Sequence, residues 1–125
     1  MRICTFVSAA VGIMFLTGGV HAEGDPAKGK RAFAQCVACH SIDEGKHRVG
    51  PSLHAIMGKP AGAAEGYDYS PAMRDSGLTW DDATMAEFLA KPRDKIAGTK
   101  MAFAGIRDDK RMADIIAYLH TLSAD

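Results

Sequence analysis

The sequence carries no surplus of charge of either sign: 15 Lys+Arg balance 15 Asp+Glu over 125 residues. The broad basic field on which nucleic-acid binding usually rests is therefore missing. No stretch alternates as a strand does and no internal repeat recurs, which leaves an all-α reading. The length suits one domain, and 24% charged with 47% hydrophobic residues lies outside the disordered, collagen-like and coiled-coil extremes of composition.

Long apolar runs are also absent, except at the N-terminus. Arg2 is the only charge before Glu23, Ile3 to Leu16 is apolar apart from Cys4, Thr5, Ser8 and small residues, and Val20-His21-Ala22 offers the small-residue pattern a signal peptidase accepts. The run is short for a membrane span of about 20 residues. The sequence thus predicts a cleaved signal peptide at 1–22 and one mature domain at 23–125. Cleavage removes Arg2 and Cys4, so that 14 basic residues, 15 acidic residues and two cysteines remain. In an oxidising compartment two cysteines become a disulfide, a redox pair or a covalent attachment point. The mature part holds only 25 large apolar side chains against 18 alanines, a thin core that a large apolar prosthetic group would fill out.

Along the mature chain, Asp25 is placed to cap a helix beginning at Pro26 and running to Gln35. Ser41 to Gly66 holds seven Gly or Pro residues and reads as loop, with one short helical turn at Leu53 to Met57. Ser70-Pro71 opens a second short helix that Gly77 closes. Thr79 is placed to cap a third, with Met85, Phe88 and Leu89 on one face up to Lys91-Pro92. A loop follows from Pro92 to Ile106. The last helix starts at Asp108 or Asp109 and carries Met112, Ile115, Ile116, Leu119 and Leu122 as a continuous apolar stripe.

Cys36-Val37-Ala38-Cys39-His40 is C-x-x-C-H, the attachment signal of c-type haem. Two thiols at that spacing can add to the vinyl groups on one edge of the porphyrin, and the adjoining histidine is then placed under the iron. Zinc would need further ligands, and neither a second C-x-x-C nor an H-x₃₋₅-H pair is present. A thioredoxin-like dithiol would need a βαβ setting. A plain disulfide would leave His40 and the thin core without a purpose. A second axial ligand would decide between electron transfer and chemistry at an open iron. Met57, Met73, Met85 and Met112 read as core filler. Met101 stands in the loop Gly98-Thr99-Lys100-Met101, where no helical or strand period accounts for it. Of the histidines, His47 suits a bridge between loops, and His54 and His120 read as exposed.

These residues, together with Gly24-Asp25, Lys28-Gly29-Lys30, Phe33, Val49-Gly50-Pro51-Ser52-Leu53-His54, Gly66-Tyr67-Asp68-Tyr69, Trp80 and Ile115-Ile116-Ala117-Tyr118-Leu119, resemble the class I cytochrome c family. The likeness is strongest to the bacterial periplasmic monohaem members related to mitochondrial cytochrome c, and it covers essentially all of 24 to 125. The resemblance implies the cytochrome c fold, four to five helices with long loops wrapped around one haem c held by thioethers from Cys36 and Cys39. It implies His40 and Met101 as axial ligands, the Pro51 carbonyl as the partner of the His40 ring, and Tyr69, Trp80 and Thr99 as donors to the haem propionates. It implies a close crossing of the first and last helices at Gly29, Phe33 and Tyr118. Phe88, Lys59, Ser52 and Ala97 depart from the family's usual tyrosine, arginine, asparagine and proline.

The function so implied is one-electron transfer in a periplasmic respiratory or related chain. The donor would be of the quinol–cytochrome c reductase type, and the acceptor an oxidase, peroxidase or reductase. Contact with these membrane complexes would be transient and the protein monomeric. Arg31, Arg48, Arg93, Lys100 and Arg107 are expected to rim the haem edge and steer an acidic partner. The alternatives are a haem enzyme or gas sensor that opens the Met101 position, and a dedicated electron-accepting subunit of a dehydrogenase.

Overall fold

The computed structural model describes residues 24–122, so the expected signal peptide at 1–22 lies outside the described residues. The described chain is helical. α1 spans Pro26–Ala32 and tightens into a 3₁₀ turn at Phe33–Gln35, α2 spans Pro71–Arg74, α3 Asp82–Ala90, α4 Pro92–Lys95 and α5 Asp109–His120. Among the described residues the sheet-like pairing amounts to one bridge between Pro60 and Thr79.

Helix ends follow local chemistry. The Asp25 carboxylate accepts from the backbone N–H groups of Ala27 and Lys28, with Pro26 at the first helical position. Ser70 does the same for α2 through Met73, and Asp108 for α5 through Arg111. Three expectations are corrected. The cap of α3 is Asp81, whose carboxylate sits 2.7 Å from the Thr84 nitrogen; Thr79 is instead held in the bridge to Pro60. The segment after Pro92 is not all loop, because Pro92 begins the short helix α4 as readily as it ends α3. Leu53 to Met57 forms turns but no helix.

The core is organised by α1 crossing α5, the pair of elements in most extensive contact. Gly29 makes the crossing possible: a Cβ there would run into the Asp114 carbonyl oxygen and the Tyr118 side chain. Phe33 and Tyr118 stack beside it, with ring centroids 5.1 Å apart at 60°, inside the range where aromatic pairs add to plain burial. Asp114, nearly fully buried, accepts from the Asp25 N–H at 2.7 Å and from Lys110 Nζ at 2.6 Å, so the start of α1 is tied to the middle of α5. Ile115, Ile116, Leu119 and Leu122 carry the core on toward Ile56, Trp80, Met85, Phe88 and Leu89. This small interior backs the site.

Candidate haem-binding site

The 3₁₀ turn delivers the chain from α1 directly into the attachment pentapeptide. Cys36 accepts two backbone bonds, from the Cys39 and His40 nitrogens at 3.1 and 2.9 Å, so that both sulfurs and the imidazole are carried on one tight turn. Cys36 is half-buried against the core and Cys39 is exposed, and no disulfide joins them. Burial first, and then the neighbouring Cys39, push the Cys36 thiol up from its ordinary value.

His40 is buried, and its Nδ1 lies 2.7 Å from the Pro51 carbonyl oxygen. A carbonyl can only accept, so Nδ1 carries the proton and the lone pair belongs to Nε2. Burial, which outweighs this bond, pulls the imidazole below its ordinary value, keeping it neutral and able to coordinate. Gly50 closes the ring in. A Cβ at that position would overlap the imidazole, and the Gly50 nitrogen donates to the Cys39 carbonyl at 2.8 Å. The role of Gly50 was not drawn from the sequence, although Gly50 directly precedes Pro51, the residue read as the partner of the His40 ring.

Met101 is half-buried and packs against the core cluster. Its backbone N–H donates to Thr99 Oγ1 at 3.3 Å, so Thr99 shapes the loop in which Met101 sits. Lys100 anchors the same loop at long range, donating from Nζ to the Asp68 carbonyl at 2.8 Å and standing 3.2 Å from its carboxylate. Trp80 is buried and packs on Phe88 with centroids 5.1 Å apart. Tyr69 is buried, and its hydroxyl accepts from the Ala64 N–H at 3.2 Å. Burial raises its phenol above the usual value, so the O–H keeps its proton to donate. Lys59 is already engaged with the His54 carbonyl at 3.0 Å.

The histidines sort by their bonds. His47 accepts the Ser52 N–H at Nδ1 (3.0 Å) and donates from Nε2 to the Glu65 carbonyl (2.7 Å), joining two loops. His54 is half-buried where exposure was expected. His120 is exposed as expected, yet it sits 2.6 Å from Asp82 at the start of α3. That pairing, 38 residues apart, had no signal in the sequence.

The donor set is what a covalently held haem requires: two thiols at attachment spacing, a neutral imidazole with its far nitrogen fixed, and a thioether on a separate loop. Residues 26–123 match the family described as Cytochrome c. The chain belongs to the cytochrome c family. This cytochrome is 47% identical over 103 residues to cytochrome c2 of Rhodoblastus acidophilus, a match covering 82% of this chain and 96% of that one. It is 46% identical over 103 residues to cytochrome c-550 of Nitrobacter winogradskyi, covering 82% and 94%. Among solved structures it resembles cytochrome cH from Methylobacterium extorquens, with a TM-score of 0.74, 52% identity, and coverage of 78% of this chain and 99% of that one. The family binds haem c covalently and transfers electrons.

Proposed function

We propose that this cytochrome is an exported one-electron carrier in a periplasmic respiratory or related chain. It would be cut after residue 22 and hold a single haem through thioethers from Cys36 and Cys39. When bound, that haem supplies a reversible one-electron couple. The observation that carries the reading is the His40 ring with its Nδ1 on the Pro51 carbonyl at 2.7 Å, one residue after the second attachment cysteine. His40 Nε2 and the Met101 sulfur would hold the iron, Pro51 and Gly50 keep the imidazole at one angle, and Tyr69, Trp80 and Thr99 would donate toward the propionates. An iron held by both residues would supply a one-electron couple with little change in coordination, which suits electron transfer rather than chemistry at the iron. The donor is a quinol–cytochrome c reductase type complex and the acceptor an oxidase, peroxidase or reductase, met transiently by a monomer.

The experiment is direct. The exported protein should show the mass of residues 23–125 plus one porphyrin, a far-red ferric band from iron–thioether bonding, and rapid oxidation by membrane vesicles of its source organism. Vesicles that leave the ferrous protein unoxidised, with and without their soluble periplasmic fraction, would overturn the carrier reading.

A further inference from the structure

Met101 stands in a segment with few polar ties. Gly98 and Gly105 flank it with φ of +91° and +113°. Its outer backbone bonds run from the Thr99 N–H to the Ile96 carbonyl at 3.1 Å and from the Ile106 N–H to the Leu89 carbonyl at 2.9 Å. Between those ends the Met101 N–H turns back on Thr99 Oγ1. Among the described residues, the hydrogen bonds that leave 100–105 for another part of the chain come from one side chain, Lys100, and both end on Asp68. They measure 2.8 Å to its carbonyl and 3.2 Å to its carboxylate. Partial burial of Met101 and Phe103 against the core is the other hold.

The anchor to which Lys100 is tied is itself braced. Asp68 lies between Tyr67 and Tyr69, whose rings meet edge to face with centroids 4.8 Å apart. The Tyr67 hydroxyl donates to the Val49 carbonyl at 2.7 Å, and the Tyr69 hydroxyl accepts from the Ala64 N–H. Val49 is followed by Gly50 and Pro51, the two residues that fix the His40 ring. The segment carrying Met101 and the segment holding His40 are thus joined by two side-chain links in series, Lys100 on Asp68 and Tyr67 on Val49. The lysine link is open to water, its side chains being 51% and 89% exposed, so dissolved ions reach it.

We propose that Lys100 and Asp68 are positioning residues for Met101, an ionic latch that holds the thioether loop down and makes the rate at which it lifts depend on ionic strength; this rests on the ligand assignment above. An exposed ion pair adds little to overall stability. It acts here on a segment that has no other polar tie, so its loss is felt at the loop rather than in the fold. The two halves of the latch can be separated. Asp68→Asn removes the charge pairing and leaves the carbonyl bond, whereas Lys100→Gln withdraws the ammonium from both oxygens.

The probe is imidazole added in excess to the haem-loaded ferric protein, where the limiting rate of binding reports how often Met101 leaves. In the unaltered protein that rate should rise about two- to threefold between about 0.01 and about 0.2 M salt. Lys100→Gln should raise it about fivefold and remove the salt dependence, and Asp68→Asn should raise it about twofold. The two changes together should act no faster than Lys100→Gln alone, because they remove one shared interaction. Lys100→Arg should keep the salt dependence and stay within about twofold of the unaltered rate. Hydrogen exchange at the amides of 100–105 should speed up in step with Lys100→Gln, while those of 26–32 and 109–120 keep their rates. Lys46→Gln, which breaks the exposed pair with Asp43, should change neither measurement. A limiting rate indifferent to salt in the unaltered protein, or a Lys100→Gln variant that behaves like Lys46→Gln, would overturn the latch. If Met101→Ala binds imidazole no faster than the unaltered protein, the ligand assignment fails instead, and exchange at 100–105 still decides whether Lys100 and Asp68 hold the loop.

Discussion

At the scale of single residues, the attachment pentapeptide was legible because its chemistry is local: the sulfurs and the imidazole need only a fixed spacing along the chain. Met101 was singled out by exclusion, since no packing period explained it, and the structure places it half-buried against the core in a loop shaped by Thr99; its role as a ligand remains a proposal. Met101→Ala should leave the haem covalently attached, abolish the far-red ferric band, lower the reduction potential and let cyanide bind readily. Met73→Ala, at another half-buried methionine, should do none of these, and optical titration with redox mediators measures both. What the sequence concealed at this scale were bonds between distant residues. Lys100 with Asp68 and His120 with Asp82 are 32 and 38 positions apart, and nothing in either neighbourhood names the other.

At the scale of elements, α5 was read almost to the residue because twelve residues with a full apolar stripe leave little freedom in assignment. α4 was missed because four residues are too few for any period to show, and Pro92 was read only as a stop. The cap of α3 moved from Thr79 to Asp81 because Thr79 was already committed to Pro60, a tertiary demand that local rules do not contain. The α1–α5 crossing depends on the missing side chain of Gly29. Gly29→Ala should force the helices apart and cost about 1 to 3 kcal/mol, the range for overpacking a tight core, read by denaturant unfolding of the haem-loaded protein. Asp114 adds an acid-sensitive tie to that crossing. The Lys110 ammonium first, and then the Asp25 N–H, hold its carboxyl below the usual carboxylate range. Its contribution is therefore complete above the unfolded-state value near 4 and is lost as pH falls through the lower folded value. Asp114→Asn should lower the melting temperature at pH 7 and flatten its fall on the acid side of pH 4; an unchanged acid slope would contradict this.

At the scale of the whole molecule, a chain with few large apolar residues still assembles one connected core, from Phe33 through Trp80 to Leu122. The scarcity of large apolar side chains predicts that this core leans on a bound haem. Cys36→Ala with Cys39→Ala should export a chain without covalent haem that is largely degraded, and circular dichroism of what survives should show lost helix. Accumulation of a folded, colourless protein would mean that the apolar interior suffices alone.

Because α1 packs chiefly on α5, the first helix gains its main partner only once the last one has been made. If the chain is exported as proposed, it would stay open until its final turn emerges from the channel, and during that interval the two sulfurs and His40 would remain reachable for attachment of the porphyrin. The lock would then close after the cargo is in place.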